Sequence, residues 1–219
     1  MQNKTYLSVV AVSRNDNHGG DPLIRTQIFI NCLAEQCKFF KIQTELIIVD
    51  WNPVENEKLL KDALVPPIND YFVLKFVVVP SELHNKFKYS GNLPLFQMIG
   101  KNVGIRRARG KFILSTNIDL IFSNELMSFI GEKNLKENEV YRLDRFDIRS
   151  GLEADTSLND ALAFAWQNIY YKNTRFCDDE LKIAIYGDTT QDSAKPNTEY
   201  LKQRDYPVVY EHHGNFGIR

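Results

Sequence analysis

The sequence predicts an α/β fold in which a doubly wound, mostly parallel sheet is flanked by helices. Tyr6–Ser13, Glu45–Val49 and Phe72–Val79 are nearly continuous apolar runs, a pattern typical of strands that are covered on both faces. Helical stretches separate these runs, and the resulting order β-α-β-α-β-loop-α-β-α favours right-handed crossovers between parallel strands. Polar residues follow the runs, where open parallel sheets bind their ligands.

The first three strands are separated by two helices and followed by a long loop. Arg14–Asp21 is rich in turn formers, and Asp21-Pro22 is a helix start signal because proline favours the first helical position. In order, the predicted elements are a strand at Tyr6–Ser13, a helix from Pro22 to about Phe39, a strand at Glu45–Val49, a short helix at Asn56–Leu64, a strand at Phe72–Val79 and an aperiodic loop at Ser81–Pro94.

Gly100–Phe122 combines a helix end, a glycine turn, a buried strand and an acidic strand end. We expect a helix at Leu95–Arg109 and a fourth strand at Lys111–Thr116, so that Asp119 follows a strand's carboxyl end. The same edge of the sheet is expected to hold Asp119 and the cations Arg106, Arg107, Arg109 and Lys111. The remaining predicted elements are a helix at Asn124–Leu135, a strand at Glu139–Ile148 and an amphipathic helix at Ser157–Lys172.

The composition argues against several classes of protein. The formal net charge is −1, with 27 basic and 28 acidic residues, so no global field favours nucleic acid. No apolar run approaches the roughly 20 residues that span a bilayer, and no signal-peptide pattern precedes the first strand. These observations predict a cytoplasmic protein and leave peripheral membrane association open. Cys32, Cys37 and Cys177 lack metal-ligand spacing, which favours buried, reduced thiols.

Three runs, SVVAVSRND, ELIIVDWN and KNVGIRRARGKFILSTNID, together resemble family 2 glycosyltransferases of the GT-A fold. Those enzymes have a polar turn after the first strand, an Asp after the second, a helix with an Asn-x-Gly core and a strand carrying Asp-x-Asp. The resemblance covers roughly residues 6–150. It implies a nucleotide-sugar-binding core at 1–150 and a smaller, acceptor-side portion at 151–219, which is truncated if the chain is a fragment.

The resemblance also implies roles for individual residues in binding the nucleotide. Arg14 and Asp50 would contact the nucleobase and ribose of a nucleoside-diphosphate sugar, with UDP or GDP as the expected nucleotide. Lys101, Asn102 and Arg106 would lie near the nucleotide. The structural alternatives are a turn formed by Asp50, a surface ion pair for Arg14, and cations that favour a helix C-terminus without any ligand.

Asn117-Ile118-Asp119 takes the place of the metal-binding Asp-x-Asp motif, so the resemblance implies Mg²⁺ or Mn²⁺. Asn117 offers an oxygen but no charge, which lowers the expected affinity for the metal. His213 would be a late metal ligand, as in some members of this fold, and the alternative is that the adjacent His212 and His213 are simply solvated. The alternative for Asp119 is capping of a turn or of the next helix.

An inverting sugar transfer needs a carboxylate near the acceptor hydroxyl to take its proton. Asp144 and Asp147 are the candidates for this catalytic base. Their neighbours Arg142 and Arg145 favour plain cross-strand salt bridges as the alternative.

The sequence therefore predicts a glycosyltransferase that moves a sugar from a nucleoside-diphosphate sugar to a saccharide or another hydroxyl acceptor, with inversion and metal assistance. A GT-A-like binding or scaffold module that has lost activity is one alternative. A nucleotidyltransferase is another, although such enzymes usually have a glycine-rich loop after the first strand. A dinucleotide-binding domain is disfavoured because the Gly-x-Gly-x-x-Gly fingerprint is absent from the sequence.

Overall fold

The computed structural model describes residues 4–141, 144–173, 208–209 and 213–218. Two compact units are present: Met1–Leu120 with Glu153–Leu158, and Ile121–Leu152 with Asn159–Arg219. In chain order the elements are β1 (Leu7–Ser13), α1 (Pro22–Phe39), β2 (Thr44–Trp51), α2 (Leu60–Ala63), β3 (Phe72–Val79), α3 (Ser81–His84), α4 (Gln97–Ile105), β4 (Phe112–Ser115), β5 (Leu120–Phe122), α5 (Asn124–Gly131), β6 (Val140–Tyr141), β7 (Asp144–Ile148), α6 (Leu158–Gln167), β8 (Ile169–Asn173), β9 (Val208–Val209) and β10 (His213–Ile218).

The first unit contains a four-stranded, all-parallel sheet in the order β3-β2-β1-β4, flanked by helices. Every residue of β1 and β2 is buried, as the apolar runs predict. The chain adds β2 and then β3 on one side of β1 and returns to place β4 on the other side. This reversal of strand order lies between β1 and β4, and the carboxyl ends of two such strands form the usual ligand crevice of a doubly wound sheet.

Two glycines allow α4 to pack directly on the sheet. Gly100 and Gly104 lie one helical turn apart and are both buried. A Cβ atom added at Gly100 would lie 2.7 Å from Val12 Cγ1, and one at Gly104 would overlap Val10 and lie 3.2 Å from Val49 Cγ2. The Asn-x-Gly core of the helix is therefore explained by close approach to the strands, because larger residues would push α4 away from β1 and β2.

Gly104→Ala is expected to lower the free energy of unfolding by about 1–3 kcal/mol, the usual cost of overpacking a core. The better helix propensity of alanine offsets part of this cost. Gly91→Ala is the matched control, since nothing lies within 4 Å of a Cβ at Gly91. Urea denaturation of both variants measures the difference, and equal stabilities would show that α4 does not need this close contact.

The turn after α4 is anchored at the amino-terminal ends of the strands. The buried carboxylate of Glu45 accepts hydrogen bonds from the Ser8 hydroxyl (2.5 Å), the Arg109 backbone N–H (2.5 Å) and the Lys75 ammonium (2.5 Å). Gly110 N–H donates to the Ser8 hydroxyl (2.8 Å). The prediction that the arginine cluster shares one edge with Asp119 is therefore wrong, because α4 runs antiparallel to the strands and carries the turn to their opposite ends.

Several predicted elements differ from those observed. The predicted loop at Ser81–Pro94 begins with the short helix α3. The predicted strand at Glu139–Ile148 is two strands, β6 and β7. The predicted helix at Ser157–Lys172 ends at Gln167, and the chain continues as β8, whose IYYKN sequence is rich in residues that favour strands. The three-residue strand β5 was not predicted, because so short an apolar run has no readable period.

The second unit has its own sheet in the order β5-β10-β7-β8, in which β10 pairs parallel to β7 and β8 pairs antiparallel to it. The buried rings of Phe146 and Phe216 pack against the half-exposed Trp166, with Trp166 and Phe216 edge to face at 4.9 Å between centroids. The unit is thus held by an aromatic cluster that joins α6 to β7 and β10.

The cysteine prediction is confirmed where the structure describes it. Cys32 and Cys37 are free thiols buried in α1, and burial raises the pKa of each to about 12. Cys177 lies outside the described residues. Among the helices that the structure describes, none is long and apolar enough to span a membrane.

Candidate functional site

The candidate site lies in the first unit, at the carboxyl ends of β1, β2 and β4. Arg14 follows β1, Asp50 occupies the end of β2, and Asn117 and Asp119 follow β4. The strand pairing continues past β4, because Thr116 N–H donates to the Val10 carbonyl at 2.9 Å. Side chains predicted from separate stretches of sequence are therefore carried by the same edge of one sheet.

Asp50 is a buried carboxylate of which only one oxygen accepts a hydrogen bond among the described residues. The residue is 1% exposed, and its Oδ2 accepts a hydrogen bond from Leu60 N–H at 2.9 Å. Its Oδ1 is buried without a hydrogen-bond partner among the described residues. Loss of hydration on burial raises the pKa of Asp50, although the Leu60 N–H and the positive charge of Arg14 act in the opposite direction. An orphan oxygen of this kind is costly unless a ligand donates a hydrogen bond to it.

Arg14 supplies a positive charge near Asp50. Its Nη1 lies 3.7 Å from Asp16 Oδ2, a contact too long for a direct hydrogen bond, while its Nε is buried and has no hydrogen-bond partner in the part of the chain that is described. Arg14 and Asp50 thus offer one unused donor and one unused acceptor. Such a pair suits a ligand that carries both donors and acceptors, as nucleobases and riboses do.

Asn117 and Lys101 meet at the same edge. The Asn117 Oδ1 atom accepts a hydrogen bond from Gln97 Nε2 at 2.9 Å and lies 3.4 Å from Lys101 Nζ. Lys101 is partly buried, and the loss of hydration lowers its pKa. Among the described residues, no carboxylate forms an ion pair with Lys101. The positive charge of Lys101 is therefore only partly compensated by a neutral amide.

Asp119 pairs with a residue that the sequence reasoning missed. Arg25 Nη1 lies 3.2 Å from Asp119 Oδ2, and Arg25 Nη2 donates to the His18 carbonyl at 2.9 Å. One sequence signal could have identified Arg25. It lies in the first turn of α1, where a positive charge is unfavourable to the helix dipole and so needs a nearby anion.

The oxygens predicted to bind a metal face nitrogen donors instead. Asn117 Oδ1 faces Gln97 and Lys101, and Asp119 Oδ2 faces Arg25. No group of three His, Cys, Asp or Glu side chains suited to a metal ion occurs in residues 4–141 or the other described ranges. As they stand, Asn117 Oδ1 and Asp119 Oδ2 do not fit a divalent cation, because Mg²⁺ and Mn²⁺ require open oxygen ligands.

Trp51 and His84 position the amino-terminal end of α4. The buried Trp51 indole N–H donates to His84 Nδ1 at 2.9 Å, and His84 Nε2 lies 3.2 Å from the Ser90 carbonyl. Phe87 and Phe96 pack against the Trp51 ring. Trp51 thus packs beside the end of β2, and this cluster sets where α4 begins and therefore where Lys101 lies.

Two of the predicted nucleotide-binding residues are exposed. The side chain of Asn102 has no hydrogen-bond partner among the residues described, and its carbonyl accepts the Arg106 N–H at 3.1 Å. Arg106 lies beyond the end of α4 and lines a groove of about 660 Å³ together with Lys75, Arg107 and Arg109. The structure brings together Lys101, Asn117 and Asp119 but does not bring Arg106 to them.

The predicted catalytic and late metal residues belong to the second unit. Asp147 is 2% exposed, and its Oδ1 lies 2.8 Å from Arg145 Nε. This ion pair lies within β7, whereas the alternative from sequence was a salt bridge between strands. The backbones of Asp144 and His213 are partners in the parallel pairing of β7 with β10. The catalytic role of Asp144 and Asp147 and the metal role of His213 stay predictions.

The first unit has an α/β architecture whose four-stranded parallel sheet is compatible with a doubly wound fold. No protein-family model matches the chain, and no curated protein matches it either.

Proposed function

We propose that the protein is a glycosyltransferase that moves a sugar from a nucleoside-diphosphate sugar to a hydroxyl acceptor. The observation that carries the proposal is the buried Asp50 Oδ1, which lacks a partner among the described residues and lies at the carboxyl edge of a parallel sheet near Arg14. The resemblance of this segment to family 2 glycosyltransferases supports the same assignment. Asp50 would accept hydrogen bonds from the base or ribose.

The proposed reaction is a direct displacement at the anomeric carbon. The acceptor hydroxyl oxygen forms the new bond to that carbon while the bond to the diphosphate oxygen breaks and leaves its electron pair on the diphosphate. A carboxylate takes the hydroxyl proton, for which Asp144 and Asp147 are the candidates from sequence. Cationic side chains at the leaving group stabilise the developing negative charge, and the partly buried Lys101 is suited to this role.

A second candidate is a GT-A-like module that binds nucleotides without transferring sugar. The contacts of Asn117 Oδ1 and Asp119 Oδ2 with nitrogen donors favour this candidate, because an enzyme that depends on a metal would need these oxygens open. The nucleotidyltransferase alternative gains no support from the described residues. Saccharide acceptors and peripheral membrane association are proposals that follow from the family resemblance alone.

Thermal shift measurements with UDP, GDP, CMP and NAD, each with Mn²⁺ and with EDTA, test the proposed function. We expect UDP or GDP to raise the melting temperature, since a ligand present at 100 times its dissociation constant stabilises the native state by about 2.7 kcal/mol. No shift with any nucleotide would contradict both the transferase and the binding module. If a nucleotide does raise the melting temperature, hydrolysis of the sugar nucleotide that carries the same base would distinguish an enzyme from a module that only binds.

A further inference from the structure

Two side-chain cations lie where a metal-dependent enzyme of this fold would hold its ion. Lys101 Nζ lies 3.4 Å from Asn117 Oδ1, and Arg25 Nη1 lies 3.2 Å from Asp119 Oδ2. Asn117 and Asp119 are separated by one residue, so their Cα atoms are at most about 7 Å apart. The ammonium and the guanidinium therefore border the same short segment after β4.

This arrangement disfavours a divalent metal ion for electrostatic reasons. A metal ion beside Asn117 and Asp119 would be repelled by Lys101, and the negative charge of Asp119 is already shared with Arg25. It would also have to displace Gln97 and Lys101 from Asn117 Oδ1 and compete with Arg25 for Asp119. Asn117 contributes no charge to offset that repulsion, because its side chain is a neutral amide. Lys101, which no carboxylate pairs among the described residues, and Arg25, which shares its charge with Asp119, would instead attract an anion.

The environment of Lys101 independently indicates an anionic ligand. Lys101 projects from α4, whose first turn is fixed by the packing of Phe96 against Trp51. Its ammonium is partly buried, and its neighbour is the neutral Asn117 amide. A partly dehydrated cation gains more from an incoming anion than a fully hydrated one does, because less water has to be removed.

We propose that Lys101 and Arg25 neutralise the diphosphate of the donor in place of a divalent metal ion. This inference rests on the proposed function and names the residues that take the leaving group. As the bond to the sugar breaks, the electron pair stays on the diphosphate oxygen, and the two cations stabilise it. Arg25 can form paired hydrogen bonds with phosphate oxygens, while Lys101 acts as a compact point charge.

The first test compares nucleotide affinity with and without metal. Isothermal titration calorimetry with UDP and GDP is carried out in EDTA and again in Mn²⁺. We expect the nucleotide that binds to do so in EDTA, with an affinity within about threefold of that in Mn²⁺. Binding that requires Mn²⁺ overturns this inference and leaves the proposed function standing. Failure of both nucleotides under both conditions overturns the proposed function and the inference together.

The second test removes the positive charge of Lys101. Lys101→Gln is expected to weaken binding of the diphosphate nucleotide by about tenfold or more, the usual effect of losing a charge-assisted hydrogen bond. Its affinity for the corresponding nucleoside, which has no phosphate, should not change. Lys38→Gln is the matched control, because Lys38 is exposed in the last turn of α1 and the same charge is removed.

The ratio between nucleotide and nucleoside affinity separates phosphate binding from a structural role. If Lys101→Gln weakens both ligands equally, Lys101 supports the fold of the site and does not contact the diphosphate. Arg25→Gln is expected to show the same ratio change as Lys101→Gln. If the nucleotide affinity of both variants equals that of the Lys38→Gln control, the inference is wrong.

Discussion

Asp50→Asn is expected to raise the melting temperature of the free protein and to weaken nucleotide binding by about tenfold to a hundredfold. The asparagine oxygen can still accept the Leu60 N–H, but the NH₂ donor then lies where the carboxylate has its orphan Oδ1. Removing a buried charge stabilises the free protein, whereas losing a charged acceptor costs about 1.5–3 kcal/mol in binding. Residues that bind ligands often show this trade-off.

The pH dependence of stability provides a second test of the Asp50→Asn prediction. Burial raises the pKa of Asp50 above 3.8, so its favourable contribution to stability is present below that value and is lost as the pH rises through the raised pKa. The stability advantage of Asp50→Asn should therefore grow over that range of pH. Differential scanning calorimetry from pH 3.5 upward measures it.

Asp70→Asn is the control for Asp50→Asn, since Asp70 is exposed. It should change neither the melting temperature nor the nucleotide affinity appreciably. If Asp50→Asn instead destabilises the free protein and leaves nucleotide affinity unchanged, then Asp50 forms a structural turn, and the assignment of this edge as a ligand site fails.

Glu45→Ala is expected to lower the free energy of unfolding by about 2–4 kcal/mol. Three donors would lose their acceptor: the Ser8 hydroxyl, the Arg109 N–H and the Lys75 ammonium. Donors left unpaired in or near the core cost about 1–3 kcal/mol each where water cannot replace the acceptor. The Lys75 side chain is 38% exposed, so water recovers much of its part. Urea denaturation measures the loss.

The stabilising effect of Glu45 should disappear in acid. Burial by itself raises the pKa of Glu45, but the hydrogen bonds from Lys75, Ser8 and Arg109 outweigh it and hold the pKa below 4.5. The stabilisation is therefore present above pH 4.5 and is lost as the pH falls through the lowered pKa.

The free energy of unfolding of Glu45→Gln should lie between those of wild type and Glu45→Ala, because the amide keeps one acceptor oxygen. Glu35→Ala, at an exposed position on α1, serves as the control, and a Glu45→Ala loss no larger than that of the control would contradict the assignment.

Much of the site could be predicted from sequence because its signals are local. The apolar runs predicted β1, β2 and β3, and the polar residues that interrupt them identified Arg14 and Asp50. The helix at α4 and the strand at β4 were predicted with longer bounds than the structure shows, since the ends of elements depend on capping and packing. Arg25 was missed because its partner, Asp119, lies 94 residues away in the chain.

The sequence by itself determined the parallel α/β class of the first unit and the strand ends at which polar residues gather. Burial on both faces requires continuous apolar runs, and turns require residues that break them. Only the tertiary structure decided which cation lies at which edge. Lys101 and Arg106 are five residues apart around α4, a rise of about 7.5 Å. Because α4 packs antiparallel to the strands, Lys101 reaches Asn117 at their carboxyl ends, while Arg106 lies with the turn that Glu45 anchors at their amino ends.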